Sequence, residues 1–441
     1  MKVNDEIETW IDEHEEELID FLVEYIGYRS PTGDERAVQR THVEPFFRDE
    51  MAWDDVSIVD VSPDSDRPNV NGYLAGSGEG PALLFNGHSD VVDVSDEAER
   101  RWTTDPWDAV VDDGLVYGRG ANDMKGPNTA MIWAIKAVME SDVELRGDLT
   151  LSIVVGEELN EQQYGSIPAT NALLEMGLED PFCINGEPTS NEVHVESAGT
   201  FDFRIEIPGK EIHTSQKNLT RYPQRRGLPQ GSAVGVDASI HLTEVLEKLR
   251  KLEHQWNMRY DAGVYGGGGT PVPTDRQGLG PIGINCSIIR AGEYVASLPG
   301  SATIEGHVFY PPGADVDRLW GEINDAVESV ATTSDWLRDH PIETSWKEHV
   351  DWPPFETPRD HPACRTLGNA ITSVTGSEPI YSGFKAVCDN AYVQRECGVD
   401  AVSFGPGNVL MGAHGPDERV PIDQLLEATK VYASTIVDYC G

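Results

Sequence analysis

Five short segments of the sequence carry histidine, carboxylate or amide side chains just after an apolar run or a glycine turn. They comprise residues 86–90, 120–126, 156–158, 185–189 and 413–415. A pair of divalent metal ions requires one carboxylate that can bridge, terminal imidazole and carboxylate ligands, and an uncoordinated carboxylate that takes a proton from water. Two histidines with three coordinating carboxylates provide that set. The segments therefore predict a hydrolytic centre with two metal ions.

Spacing within two of these segments suggests individual roles. His88 and Asp90 are two residues apart, so at a strand end both side chains point to one face, and Asp90 can hold the second imidazole nitrogen while His88 binds metal. Glu157 and Glu158 are adjacent, and in an extended chain they point to opposite sides, so one can be a ligand and the other a base. An acidic pair alone is often solvated surface, but the preceding apolar run and Gly156 favour a site.

Short apolar runs alternate with helical patterns around these segments. Apolar residues at helical spacing predict an amphipathic first helix over 5–27. The strand-like run 83–85, a helical pattern through 131–138 and the run 149–155 follow. This rhythm predicts an α/β fold whose mixed, mostly parallel sheet has helices on both faces. Ligand sites of such sheets lie beyond the carboxyl ends of the strands, where the segments above fall.

A second pattern begins at residue 199, where apolar and polar residues alternate strictly over 201–207. The order of elements from there on is β-α-β-β-α-β, which is the ferredoxin-like α+β arrangement. The predicted strands are 201–207, 282–289, 302–310 and 342–350, and the predicted helices are 239–256 and 316–330. We therefore predict a catalytic domain in two parts, 1–198 and 351–441, with a small domain inserted over 199–350.

The chain is strongly acidic, with 76 acidic and 33 basic side chains and a formal net charge of −43. Such a surface repels itself at low salt, which is tolerable in a salt-accumulating, halophilic cell, and it disfavours nucleic acid and anionic membrane as partners. The six cysteines form no CxxC pair, which favours free thiols in a reducing compartment. The first 30 residues lack an export signal, and no apolar run could span a bilayer, so we expect a cytoplasmic protein.

Taken in order, the motifs resemble those of the metallohydrolase family that includes acetylornithine deacetylase, succinyl-diaminopimelate desuccinylase, aminoacylase and carboxypeptidase G. The resemblance covers nearly the whole chain. It rests on residues 83–90, 118–126, 157–158, 186–189 and 405–418, and on 208–213, 290–293 and 298–299, which are similar to a deacylase-like subgroup.

The resemblance implies a ligand set for two divalent metal ions. His88, Asp123 and Glu187 would hold one ion. Asp123 as the bridge, Glu158 and His414 would hold the other. Zinc is the metal that the family implies, although cobalt and manganese also suit these ligands.

The resemblance also implies catalytic roles. Glu157 would be the general base, Asp90 would orient a ligand, and the peptide bond after Asp123 would be cis. His213 would stabilise the oxyanion in the active site of the partner subunit of a homodimer. The inserted domain would then be both lid and dimer interface.

Two positions depart from the pattern of relatives that act on carboxylate-bearing substrates. Those relatives have an asparagine and an arginine where this chain has Ala296 and His307. Arg290 or Ser297 could take over contact with a substrate carboxylate. The departure favours deacylation of a small N-acyl amino acid or N-acyl amine. A carboxypeptidase or dipeptidase is the alternative, and a metal-free scaffold without catalysis is a less favoured one.

Overall fold

The computed structural model describes residues 3–61, 66–219, 234–260, 282–332, 334–384 and 386–441. Its contacts divide the chain into two units. The first consists of Met1–Ser197 and Phe355–Gly441, and the second of Ala198–Pro354. The boundaries that the sequence predicts, at 198/199 and 350/351, lie close to these.

The first unit is built on an eight-stranded mixed sheet. Its strands are β1 (Asp55–Val59), β2 (Asn69–Leu74), β3 (Leu83–His88), β6 (Leu149–Val154), β7 (Phe182–Asn185), β8 (Val193–Ser197), β15 (Tyr381–Phe384) and β16 (Ala401–Ser403), in the order β1-β2-β6-β3-β7-β16-β8-β15. β6, β3, β7 and β16 are mutually parallel neighbours, and β15 is parallel to β8. The central strands are buried along their whole length, which explains their continuous apolar runs.

Helices pack around this sheet, so the predicted fold class is confirmed. They are α1 (Val3–Glu13), α2 (Glu15–Gly27), α3 (Arg36–Val38), a π-helical turn (Gln39–Val43), α4 (Glu44–Asp49), α5 (Asp96–Glu99), α6 (Lys125–Met139), α7 (Ser166–Met176), α11 (Pro362–Thr375), α12 (Asn390–Cys397) and α13 (Ile422–Cys440). Across the described ranges, no helix is long and apolar enough to cross a membrane.

The prediction of one continuous first helix is wrong. A turn at His14 separates α1 from α2, although the N–H of His14 still donates to the carbonyl of Trp10 at 3.1 Å. The His14 ring stacks on Trp10, and its Nδ1 lies 2.7 Å from the same carbonyl oxygen. This local side-chain contact competes with regular helix geometry without changing the apolar spacing.

A small three-stranded sheet in the first unit is not predicted by the sequence patterns. It consists of β4 (Val110–Asp112), β5 (Leu115–Tyr117) and β17 (Arg419–Pro421), in the order β17-β5-β4. The pairing of β17 with β5 joins the end of the chain to the segment that precedes α6.

The second unit has the predicted ferredoxin-like order. Its antiparallel sheet has the order β11-β13-β9-β14, with β9 (Gly199–Pro208), β11 (Gly283–Ala291), β13 (Ser301–Tyr310) and β14 (Glu343–Trp352). Its helices are α8 (Ala238–Arg259), α9 (Val316–Ala331) and α10 (Asp335–Asp339), and β10 (Ile212–His213) pairs with β12 (Ser297–Leu298). Phe201, Phe203 and Ile205 are buried in a core that the sheet shares with α8 and α9, which accounts for the alternation along β9.

Candidate metal centre

Three neighbouring parallel strands place acidic and histidine side chains at one edge of the large sheet. His88 is the last residue of β3. Glu157 and Glu158 lie in the turn that follows β6, and Glu187 lies just after β7. Because β6, β3 and β7 are parallel and adjacent, their carboxyl ends meet at the same edge.

Asp123 enters the site from the loop before α6. Glu418 holds this loop, because its Oε1 accepts the backbone N–H groups of Asn122 at 3.0 Å and Asp123 at 2.9 Å. The other oxygen of Glu418 pairs with Arg119, and both side chains are buried. The peptide bond between Asp123 and Met124 is cis, as the family resemblance implies.

The carboxylate of Asp123 lies between two histidines. Its Oδ1 is 3.3 Å from Nε2 of His88, and its Oδ2 is 3.4 Å from Nε2 of His414. The same nitrogen of His414 lies 2.9 Å from Oε2 of Glu158. Ligand atoms of His88, Asp123 and Glu158 all lie within 4.8 Å of one another. This is the arrangement expected of a bridging carboxylate with a terminal imidazole on each side.

These side chains fit divalent cations. Two ligands of one tetrahedral ion, each about 2.0–2.1 Å from it, lie about 3.3 Å apart, close to both Asp123–histidine distances. Oε1 of Glu158 is buried and has no hydrogen-bond partner among the described residues. A buried carboxylate oxygen without a donor needs a cation or water. The geometry and the unsatisfied oxygen agree on a metal centre.

The buried carboxylates of the site also favour bound cations. Burial raises the pKa of Glu157 well above that of an ordinary carboxyl group, and burial with the nearby charge of Asp123 raises the pKa of Glu158 and of Glu187. Hydrogen bonds to Asp123 and Glu158 raise the pKa of His414 to about 10. Without metal ions, the crowded carboxylates therefore hold protons that divalent cations would displace.

His88 is oriented by backbone groups. Its Nδ1 lies 2.9 Å from the carbonyl oxygen of Asp90, which can only accept, so the proton is on Nδ1 and Nε2 is free to bind metal. The carbonyl of His88 accepts from the amide of Asn128 at 2.7 Å. A Cβ at Gly87 would lie 2.0 Å from Oδ1 of Asn128, so α6 approaches β3 this closely only at a glycine.

The predicted role of the Asp90 side chain is corrected by this geometry. Its Oδ1 is 3.7 Å from Nδ1 of His88, beyond hydrogen-bond distance, because its carbonyl occupies that position. The carboxylate instead accepts the backbone N–H groups of Glu157 at 3.2 Å and Glu158 at 3.1 Å, and the hydroxyl of Thr32 at 2.8 Å. Asp90 therefore positions the Glu157–Glu158 turn as well as His88.

The expectation of an extended chain at Glu157 and Glu158 is wrong, because both lie in a turn in which the N–H of Asn160 donates to the carbonyl of Glu157. The two side chains nevertheless diverge. Oε2 of Glu157 is 3.8 Å from Nε2 of His88, whereas Glu158 contacts His414. One carboxylate thus lies with each histidine.

Glu187 is buried beside the cluster but is not part of its most compact group. Its Oε1 accepts from the amide of Asn185 at 3.4 Å, and 3% of the residue is exposed. Its assignment as a ligand stays a prediction.

His213 and Ser297 belong to the second unit. They are register partners across the β10–β12 pair. The imidazole of His213 is exposed, and its Nδ1 lies 2.9 Å from the hydroxyl of Ser215. Its role as an oxyanion donor stays a prediction.

His307 and Arg290 lie on neighbouring strands of the second unit, β13 and β11. Nδ1 of His307 is 2.6 Å from Oδ1 of Asp202, so this imidazole already has a carboxylate partner. Arg290 is exposed, and its guanidinium lies 3.5 Å from Glu305. Asp202 and Glu305 would therefore compete with a substrate carboxylate for these two side chains.

Sequence reasoning missed Asp389. This buried carboxylate follows β15 and accepts hydrogen bonds from Asn86, Gln162 and Ser166. An acidic residue after an apolar strand is the signal that identifies the other segments. Asp389 lacks this signal, because β15 is short and is only partly buried.

Comparisons with known proteins agree with this site. The sequence model of Peptidase family M20/M25/M40 matches residues 84–438. The chain is 28% identical over 444 residues to N-formyl-4-amino-5-aminomethyl-2-methylpyrimidine deformylase of Bacillus subtilis (strain 168), covering 98% of this chain and 96% of that protein. It is 27% identical over 387 residues to succinyl-diaminopimelate desuccinylase of Gluconacetobacter diazotrophicus, covering 85% of each.

Among solved structures, the di-peptidase Dug1p from Saccharomyces cerevisiae has a similar fold. The TM-score is 0.71 at 14% sequence identity, and the match covers 100% of this chain and 99% of that one. Because the family match spans most of the chain and includes the cluster of histidines and carboxylates, the chain belongs to Peptidase family M20/M25/M40 and is a metal-dependent amidohydrolase.

Proposed function

We propose that the chain is a dinuclear metal-dependent deacylase that hydrolyses the amide bond of a small N-acyl amine or N-acyl amino acid. One observation carries the proposal: the carboxylate of Asp123 lies between His88 and His414, and the buried carboxylate of Glu157 lies 3.8 Å from Nε2 of His88. This arrangement supports a base beside a pair of metal sites.

His88, Asp123 and Glu187 would hold one ion, and Asp123, Glu158 and His414 the other. When bound, such cations polarise the scissile carbonyl and lower the pKa of a coordinated water. Zinc is the metal that we propose, with cobalt and manganese as alternatives that the same nitrogen and oxygen ligands accept.

Glu157 would act as the proton carrier of the reaction. Its carboxylate takes a proton from the attacking water while the water oxygen bonds to the acyl carbon. It then gives this proton to the amine nitrogen as the carbon–nitrogen bond breaks, so that a carboxylic acid and an amine leave. The buried position suits this role, because burial raises the pKa of Glu157 well above that of an ordinary carboxyl group and so makes it a stronger base.

The named relatives support a deacylase in preference to a peptidase. One acts on an N-formyl amine and the other on a succinyl amide, and both match most of this chain. The positions 296 and 307 lack the asparagine and arginine of carboxylate-recognising relatives, and His307 is paired with Asp202. A short acyl group on an amine therefore fits better than a peptide with a free carboxyl terminus.

A dipeptidase or carboxypeptidase activity is the second candidate, because a dipeptidase shares the fold. The two are separated by assaying N-formyl, N-acetyl and N-succinyl amines and amino acids against dipeptides, after reconstitution with zinc, cobalt or manganese in molar KCl. We expect amine release from N-acyl substrates and a lower kcat/KM on dipeptides. The reverse order would establish the peptidase.

We further propose that the protein works in the cytoplasm of a salt-accumulating cell, which its net charge of −43 supports. A homodimer through the second unit, with His213 donating to the oxyanion of the partner's substrate, completes the proposal. The exposed position of the His213 imidazole supports this role. A His213→Ala variant that keeps full kcat would exclude His213 as the oxyanion donor.

A further inference from the structure

We propose that Asp389 is a positioning residue that fixes β3 and the segment after β6 in one arrangement, and thereby places His88 and Glu157 relative to each other. The inference rests on the proposed roles of these two residues. It assigns a function to a side chain that neither binds metal nor touches substrate.

The carboxylate of Asp389 is fully buried and has three hydrogen-bond donors. Oδ2 accepts from the amide of Asn86 at 3.0 Å and from the hydroxyl of Ser166 at 2.7 Å, and Oδ1 accepts from the amide of Gln162 at 2.6 Å. All three donors are neutral and buried. A buried carboxylate with three aligned donors is held rigidly, because losing any one contact leaves a polar group unsatisfied.

The donors belong to the elements that carry the site. Asn86 is two residues before His88 on β3, so both side chains lie on the same face of the strand. Gln162 is in the segment that follows the Glu157–Glu158 turn. One carboxylate therefore joins the strand of a metal ligand to the segment of the base.

The second end of this segment is also fixed. Ser166 is the first residue of α7, so Asp389 contacts both the loop and the helix that follow β6. Asp389 itself comes from the part of the chain beyond the inserted unit, after β15. Its contacts thus join the two sequence parts of the first unit beneath the site.

The side chain of Asp389 makes these contacts in place of a helix-capping hydrogen bond. It is the N-cap residue of α12, but its side chain makes no capping hydrogen bond. Aspartate is among the preferred N-cap residues because its carboxylate normally accepts from the first turn of its own helix. Here that carboxylate turns inward to β3 and α7, which indicates that the inward contacts decide its identity.

Two substitutions separate hydrogen bonding from general stability. Asp389→Ala removes the acceptor of Gln162, and it leaves Asn86 and Ser166 only their contact with each other. Asp389→Asn keeps one oxygen for Asn86 and Ser166, while Gln162 can turn its amide so that its Oε1, which has no partner among the described residues, accepts from the new amide. Asp389→Asn should therefore restore much of what Asp389→Ala loses.

We expect Asp389→Ala to lower kcat and zinc affinity, each by about 10–100-fold, with little change in KM. The matched control is Asp148→Ala, which removes a carboxylate of the same unit that bonds to the hydroxyl of Tyr73 at 2.7 Å and the N–H of Gly76 at 2.9 Å. This control should lower the melting temperature and leave kcat and zinc affinity unchanged.

A double-variant cycle tests the coupling. If Asp389 acts through Asn86, the double variant Asn86→Ala/Asp389→Ala should lose less kcat than the product of the fold-losses of the two single variants. Should Asp389→Ala fail to fold, Asn86→Ala and Gln162→Ala form the cycle instead, because each removes one donor to the same carboxylate.

Three outcomes would overturn the inference. The first is a folded Asp389→Ala variant with wild-type kcat and zinc affinity. The second is a loss of kcat and zinc affinity in Asp389→Ala that is no larger than in Asp148→Ala, when the two variants have equal melting temperatures. The third is a double variant whose kcat loss equals the product of the single losses. A wild-type enzyme that releases no amine from any N-acyl substrate would instead refute the proposed function. Zinc affinity, measured by titration calorimetry, would still decide the positioning role in that case.

Discussion

Oδ2 of Asp123 lies 3.4 Å from Nε2 of His414, although the two residues belong to different sequence parts of the first unit. The other oxygen of the same carboxylate faces His88. The centre is therefore complete only when the last part of the chain is docked against the first. Ions bound here would link the two parts, so metal binding and folding are coupled.

Metal removal should both inactivate and destabilise the protein. A ligand that binds only the folded state at 1,000 times its Kd adds about 4 kcal/mol to the free energy of unfolding. We expect two equivalents of metal per chain, a lower melting temperature after chelation, and recovery on adding zinc, cobalt or manganese. Less than one equivalent after reconstitution, with an unchanged melting temperature, would favour the metal-free scaffold.

Replacing the proposed base should separate catalysis from metal binding. Glu157→Gln keeps the size of the side chain but cannot take up a proton, so we expect kcat to fall by about 10²–10⁴-fold with two metal ions retained. Elemental analysis and steady-state kinetics measure both. Glu158→Gln is the comparison, since it removes a ligand and should lose metal. Substantial activity in Glu157→Gln would exclude this residue as the base.

Glu418 should matter for stability as well as for the site. Its carboxylate pairs with buried Arg119 and accepts the N–H groups of Asn122 and Asp123. Glu418→Gln leaves the guanidinium buried without a counter-charge, which costs about 3–5 kcal/mol of the free energy of unfolding. Denaturant unfolding in constant KCl measures the loss.

The control for this variant is an exposed ion pair. Asp93 contacts Arg29 at 2.8 Å, and both side chains are 55% exposed. Asp93→Asn should therefore change the free energy of unfolding by at most about 1 kcal/mol. Equal losses in the two variants would mean that burial of the Glu418–Arg119 pair is unimportant.

The sequence predicts that His88, Glu158 and Glu187 lie close together because each ends or follows a strand, and parallel neighbours bring their carboxyl ends to one edge. It predicts the ferredoxin-like order because each strand shows strict alternation and each helix shows helical spacing, so both can be recognised within a single element. Asp389 and Asn86 are 303 positions apart, and periodicity carries no information about contacts of this range. The same limit applies to Asp90, whose carboxylate accepts from the distant N–H groups of Glu157 and Glu158 while its carbonyl takes the predicted contact with His88.

Salt should stabilise the fold over a wide range. The net charge of −43 makes exposed carboxylates repel one another. This repulsion reaches about 10 Å at 0.1 M salt but only about 3 Å at 1 M, because the screening length shortens as salt is added. We expect the melting temperature to rise steadily as KCl increases from 0.1 M to molar concentrations, in the apoprotein as well as in the metal-loaded form. A flat profile would contradict adaptation to high salt.

A buried histidine outside the proposed ligand set should make stability depend on pH. His42 is only 6% exposed, and burial, with a smaller effect of the charge on Lys125, lowers its pKa to about 4. In the unfolded chain the imidazole takes up a proton near pH 6.5, whereas in the folded chain it does so only near pH 4. Between these values the unfolded state binds more protons, so stability is lost as the pH falls.

The loss assigned to His42 is about 3 kcal/mol in the free energy of unfolding and should be complete near pH 4. His42→Gln carries no titratable group, so the difference in unfolding free energy between wild type and this variant should shrink by that amount from pH 7 to pH 4. Guanidinium unfolding at several pH values measures it. His254→Gln, at an exposed position of α8, is the control and should show no such trend. A wild-type advantage over His42→Gln that stays constant with pH would mean that His42 is protonated in the folded state.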